Sequence, residues 1–293
     1  MRQLLAQIVV DGTVLSALYG LGAAGFALIF GVSGVLNLAH GAVLLVAAMT
    51  AWAMASELGL GPYLSQLAGV GGGVIAAYLT YYVVIRPLQR SRKIPDEERE
   101  IFVLTATLLW AIMISELLAH FFTATSITVP PLVQGVSQVL GVRTPTNELA
   151  VGAVAWLVIG ALWLFVHGTR TGKAVWAASI NPRGLALLGF DLERIYRWVW
   201  GIYGIMGGVA GVLLASFLGA NPARAGDLTA SAFSIVVLGG LGSIFGSLLA
   251  SYLIGFIETL TAYLVAPSLR DLPGLIILVL VLYLRPRGLF GRR

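Results

Sequence analysis

The 293-residue chain has no cysteine, only three histidines, and charged side chains at just 11% of its positions. Without cysteine there is no disulfide and no thiolate metal site. An ordinary soluble domain carries roughly 25% charged residues, so this chain cannot dress a surface of its size for water. Signatures of catalysis are missing too. The run Gly168-Thr169-Arg170-Thr171-Gly172-Lys173-Ala174 comes nearest to a phosphate loop. That motif needs four residues between its glycines and Ser or Thr after the lysine; this run has three, then alanine. No His-Glu-x-x-His pair, nucleophile elbow or zinc spacing occurs. The expectation is a non-enzymatic chain that holds no metal and no nucleotide of its own. Its net charge of +5 sits in short loops without interleaved aromatics, which fits a membrane surface and not nucleic acid.

What is present is hydrophobic length. Apolar residues make up 58% of the chain and mean hydropathy is +0.93. A helix crossing a bilayer needs about 20 apolar residues, fewer where it is short or broken. Candidate spans are Val14–Phe30, Ala42–Ala55, Tyr63–Ile85, Ile101–Phe121, Leu149–Val166, Trp198–Leu218, Ser247–Val265 and Leu272–Leu284, with a Gly-rich apolar piece at Ala230–Gly246. The fold class this predicts is an all-α polytopic membrane protein of roughly eight to ten transmembrane helices, some short or Gly-broken, in one domain over residues 1–293.

Charge placement orients the spans. Three segments hold 14 of the 18 basic residues. They are Arg86 to Arg99 (with Arg90, Arg92 and Lys93), Arg170 to Arg197 (with Lys173, Arg183 and Arg194), and the tail with Arg285, Arg287, Arg292 and Arg293. By the positive-inside rule these three face the cytoplasm, and the C-terminus with them. An even number of crossings must then separate Arg197 from Arg285, so Ala230–Gly246 has to supply one beside the three obvious spans. At the N-terminus the count is open: three spans before Arg86 put Met1 outside, a further crossing at Gly31–Gly41 puts it inside, and Arg2 favours inside.

The densest signal is Ile29 to Gly41, where three glycines, Asn37 and His40 interrupt an apolar tract. An amide and an imidazole in hydrocarbon cost several kcal/mol unless partnered or set against a wet cavity. If this run is helical, Ser33, Asn37 and His40 share one face. The expected role is a broken helix lining a translocation pathway, the alternative being hydrogen-bonded glue between helices. Gly239 to Ser247 is a second glycine-rich run; Ser243 is a candidate pathway residue there, although its Gly242, Gly246, Ala250 ridge suits close packing. Gly204, Gly207, Gly208 and Gly211 suggest packing alone. Glu258 is the most internal of the acids, while Glu116 and His120 lie near an outer interface as a structural pair. Two glycine-interrupted segments, Gly34–Glu57 and Gly240–Glu258, are compatible with a weak internal repeat or with chance.

The basic segment 168–197 is too apolar for a solvated loop. Asn181-Pro182 starts and Gly189 stops a short helix, Pro182–Leu188. Trp176, Leu185, Leu187, Leu188 and Phe190 need a surface to bury against, either a partner protein or lipid.

These pieces resemble the membrane permease subunit of branched-chain amino acid ABC importers, the LivH type, and more distantly sugar permeases. The residues that carry the resemblance are Leu18-Tyr19-Gly20, Phe30 to Gly41, Val237 to Ser243, and Arg285-Pro286-Arg287-Gly288-Leu289-Phe290-Gly291. The resemblance implies a subunit of an ATP-driven importer in the bacterial inner membrane, moving branched-chain amino acids or related small polar solutes inward. Urea, amides and aromatic acids are handled by similar permeases, and an ion-coupled secondary transporter is the reading from another class. A secondary transporter needs a coupling site within the membrane, for which only His40 and acids at span ends are available. The implied partners are a second homologous permease, two cytoplasmic ATP-binding subunits that bind ATP and Mg, and a periplasmic solute-binding protein. Residues Gly172–Phe190 match the family's coupling loop, with Trp176, Asn181, Pro182, Leu185, Leu188 and Gly189 as ATPase contacts. Trp176 stands where a basic residue is common, and Pro182 after Asn181 is a second departure.

Overall fold

The computed structural model describes residues 2–91, 93–95, 97–285 and 288–290. Arg92, Pro286, Arg287, Gly291, Arg292 and Arg293, which the sequence reading used, lie outside them. Twelve helices follow in order among the described residues: α1 (Arg2–Ser33), α2 (His40–Ser56), α3 (Pro62–Leu79), α4 (Arg86–Arg90), α5 (Arg99–Phe121), α6 (Thr146–Gly168), α7 (Arg170–Ile180), α8 (Pro182–Leu187), α9 (Leu192–Phe217), α10 (Ala225–Gly239), α11 (Ile244–Leu264) and α12 (Leu272–Leu284). A π-helical stretch, Thr80–Ile85, joins α3 to α4. The sequence did not announce a small antiparallel hairpin, β1 (Val136–Val139) with β2 (Val142–Pro145).

Seven helical stretches are long and apolar enough to cross a membrane: α1, Pro62–Arg90, α5, α6, α9, α11 and Pro267–Leu284. Two shorter apolar helices, α2 and α10, lie among them. Direction follows from which ends meet. Helix α1 runs antiparallel to α11, with Gly12 against Phe256, Gly20 against Ser251 and Gly31 against Gly242. Helix α3 runs antiparallel to α9, with Gly69 against Val212 and Gly73 against Gly208. One end of the bundle carries Arg86, Arg90, Arg99, α7 and α8. Glu193 binds both Arg86 and Arg90 there, and the Tyr78 hydroxyl donates to the Arg197 carbonyl at 3.1 Å. The opposite end carries the hairpin, an isolated bridge between Ile127 and Ala220, and the Arg224–Asp271 ion pair.

Helix α10 provides the crossing that parity required. It starts after Arg224 with Ala225 against Gly41, part-way through the bundle from the opposite end, and finishes at the basic end, where the Leu289 amide donates to the Leu238 carbonyl at 2.8 Å. Gly240 and Gly242, both at positive φ, then turn the chain into α11. The hint from Arg2 is corrected: α1 begins at the opposite end, among residues that pack near Asp11, Tyr263 and Glu148. A single early cation is outweighed by the apolar faces that fix α1 against α11 and α6. The chain therefore passes between the two ends nine times among the described residues.

Small residues set the packing. Lipid tails are as apolar as leucine, so membrane helices gain little by hiding Leu and more by bringing backbones close. A Cβ on Gly211 would fall 2.1 Å from the Leu44 carbonyl oxygen, and one on Gly41 would fall 2.0 Å from that of Ala225. Helices α1 and α9 form the buried centre, whereas α5, α6 and α12 face outward with Leu109, Leu157 and Val279 exposed.

Candidate functional site

The glycine-rich run after α1 is broken and not helical, so the condition under which Ser33, Asn37 and His40 would share one face is not met. Helix α1 ends at Ser33, whose hydroxyl bonds back to the Ile29 carbonyl. Residues 34–39 form an irregular link, and α2 starts at His40. The His40 ring lies beside Gly22, eleven residues before the end of α1. At about 1.5 Å per residue, the link climbs back roughly 16 Å into the bundle. That explains why α2 has only 17 residues: it begins part-way through.

A backbone left unwound at that depth must find partners inside the protein. The Leu38 amide donates to Thr107 on α5 at 3.2 Å, and the Gly41 amide donates to Thr229 on α10 at 2.9 Å. Asn37 and His40, both fully buried, meet on the Tyr203 hydroxyl of α9. The Asn37 carbonyl oxygen accepts from the Ala39 amide at 3.1 Å, so its amide nitrogen donates to the Tyr203 oxygen at 3.2 Å. The Tyr203 hydroxyl and Nδ1 of His40 share a second hydrogen bond, 3.0 Å long. Nε2 of His40 is buried and has no hydrogen-bond partner among the described residues.

That Nε2 belongs to a residue lining a small cavity of about 30 Å³, together with Leu18, Tyr19, Gly22, Ala210 and Ile235. Above it, towards the end opposite the basic loops, lies a larger cavity of about 180 Å³. Its rim is polar, with Asn221, Arg224, Asp227, Arg270 and Asp271; its floor is apolar. Tyr19, Leu44, Leu214, Leu228 and Ser231 line both cavities and so form the neck between them. The Tyr19 hydroxyl donates to Glu258 at 2.7 Å. Glu258 is fully buried on α11 and lines neither cavity; it holds Tyr19 from behind. Tyr203 was not singled out in the sequence, and Tyr19 figured there only within the run Leu18-Tyr19-Gly20 that carries the resemblance. Tyrosine is common in membrane helices, and only tertiary packing shows these two hydroxyls shared with buried polar groups.

Ser243 stands elsewhere. It caps α11 by accepting from the Gly246 amide at 3.1 Å, at the basic end and away from both cavities. Ser247 and Ser251 likewise bond to carbonyls of their own helix, so this run packs helices. Glu116 and His120 are both exposed near the end of α5, and no bond joins them among the described residues.

At the basic end, α8 spans Pro182–Leu187, one residue shorter than expected, and the Asn181 side chain accepts from the Gly184 amide at 2.9 Å. Gly189 ends the turn at φ +85°. Leu187 and Leu188 are 90% and 76% exposed, and Trp176, Ile180 and Phe190 about half exposed. Leu185 is different: it is buried in the main core of this chain and offers nothing to a partner.

Residues 8–283 match the family model described as branched-chain amino acid transport system / permease component. The chain is 28% identical over 300 residues to the high-affinity branched-chain amino acid transport system permease protein LivH of Escherichia coli K12, covering 96% of this chain and 94% of that one. Identity is 29% to the corresponding permease BraD of Pseudomonas aeruginosa, over 98% of this chain and 95% of the relative. A shorter match, 28% over 131 residues, reaches the ribose import permease RbsC of Escherichia coli K12, covering 42% of this chain and 39% of that one.

Proposed function

Because this chain belongs to the branched-chain amino acid transport permease family, we propose that the solute it passes is leucine, isoleucine or valine. It is a membrane-spanning transport permease, and its route runs from the larger cavity through the Tyr19 neck to the His40 cavity. One observation carries the route: where the unwound link gives way to α2, His40 lines the smaller of two cavities that adjoin part-way through the bundle. Irregular backbone at membrane depth is tolerated only where protein or a cavity covers it. By the positive-inside rule the basic end faces the cytoplasm of a bacterial inner membrane, with the C-terminus on that side. The cavity rim then opens to the periplasm, where a solute-binding protein delivers the solute.

Energy comes from outside this subunit. Two ATP-binding subunits hold ATP and Mg, and the surface formed by Trp176, Ile180, Leu187, Leu188 and Phe190 receives one of them, with Asn181, Pro182 and Gly189 shaping it. A second homologous permease completes the channel. The chain itself hydrolyses no ATP. The deciding experiment is uptake of radiolabelled leucine in cells stripped of other branched-chain importers, with and without this permease beside its partner subunits. ATP-dependent uptake that requires the chain is the expected result; equal uptake without it would refute the assignment.

A further inference from the structure

The rim of the larger cavity holds two cations and two anions: Arg224, Arg270, Asp227 and Asp271. They are not matched one to one. Arg224 binds both Asp227 and Asp271. Arg270 forms no ion pair among the described residues, and its Nε is buried without a hydrogen-bond partner. A guanidinium whose donors are unused, facing a cavity, is suited to a carboxylate, which it can grip with two parallel bonds. Asp227, whose side chain is 59% exposed, keeps acceptor capacity for an ammonium group. Below this rim the wall turns apolar, with Leu44, Leu45, Leu214 and Leu218.

We propose that this cavity is a binding site for a zwitterionic α-amino acid. Arg270 takes the carboxylate, Asp227 takes the ammonium, and the leucine-lined floor receives an aliphatic side chain. A cavity of about 180 Å³ has room for one small solute. The site rests on the transport reading above but goes past it, because it assigns selectivity to the permease itself and disfavours urea and neutral amides. Those solutes have no charge with which to offset the cost of sealing a guanidinium from water.

The test uses the complete importer in proteoliposomes, comparing leucine with the neutral amide 4-methylpentanamide, for the native chain and for Arg270→Gln, Arg270→Lys and Asp227→Asn. Arg270→Gln should lower leucine uptake tenfold or more, with the ATP-binding subunits still co-purifying. Arg270→Lys keeps the charge but loses the two parallel bonds, so it should restore uptake only part of the way from the Arg270→Gln value to native, and Asp227→Asn should lower uptake severalfold. Leucine uptake by Arg270→Gln within twofold of native would overturn the site while leaving the transport reading intact. Should the native importer carry the amide and not leucine, both the substrate reading and the site fall. Rescue by Arg270→Lys separates a lost cation from a misfolded loop.

Discussion

Tyr203 is the residue on which the unwound link depends. Its single hydroxyl accepts from Asn37 and shares a hydrogen bond with Nδ1 of His40, both residues fully buried. Tyr203→Phe leaves the ring packing against Trp200 in place but strands both groups. A buried polar group without a partner costs about 1–3 kcal/mol. The variant should therefore melt at lower temperature in detergent and take up solute severalfold more slowly; unchanged melting and uptake would show that the link is held by other contacts. His40→Leu, by contrast, removes the free Nε2 from the cavity wall and should cut uptake while assembly with partner subunits persists. Tyr19→Phe and Glu258→Gln probe the neck. Since the carboxylate acts on the route only through the hydroxyl, the double variant should lose no more uptake than the worse single one, a coupling that a double-mutant cycle reads directly.

Among the elements, α2 and α8 show how little sequence is needed to place a helix where it matters. Helix α2 is wedged between α9 and α10 at Gly211 and Gly41, where any side chain would meet backbone oxygen. Overpacking a tight site typically costs 1–3 kcal/mol. Gly211→Val should exceed that range, because a carbonyl cannot rotate away as a side chain can, and loss of folded permease on size-exclusion chromatography would register it. Helix α8 is short, capped by Asn181 and stopped by Gly189. Burying an exposed leucine contributes about 1.5–3 kcal/mol, so Leu187→Asp with Leu188→Asp should release the ATP-binding subunits or uncouple hydrolysis from uptake. Leu185→Asp should instead destabilise the chain itself, since that side chain lies in its own core. Full co-purification and normal uptake of the Leu187, Leu188 double variant would remove α8 from the docking surface.

For the molecule as a whole, the arrangement of ends is directly testable because the chain has no cysteine to interfere. Single cysteines at Asn181 and Lys93 should resist impermeant thiol reagents on intact cells, whereas cysteines at Arg143 and Gln3 should react. Labelling at Gln3 distinguishes the nine-pass arrangement from one with an internal N-terminus. If Gln3→Cys reacts only after permeabilisation, α1 enters from the other side and the orientation of the central helix is wrong.

Composition and charge spacing alone determined that this is a helical membrane protein, which loops are basic, and that α10 must cross. These follow from solvation: apolar length has to be buried, cations have to be hydrated, and parity permits no exception. The short helix at Asn181 to Gly189 was legible for a similarly local reason, since cap and stop residues act within one turn. The residues Asn37 and His40 stood out as costly in hydrocarbon, but their arrangement did not. Whether the run from Ser33 to His40 stayed helical depended on Thr107, Thr229 and Tyr203, which come from three other helices and offer the backbone alternative partners. The same holds for Leu185, buried rather than offered outward, and for Ser243, whose hydroxyl caps α11 away from both cavities. Periodicity reports which face a side chain occupies; only the packing of the other helices decides what that face meets.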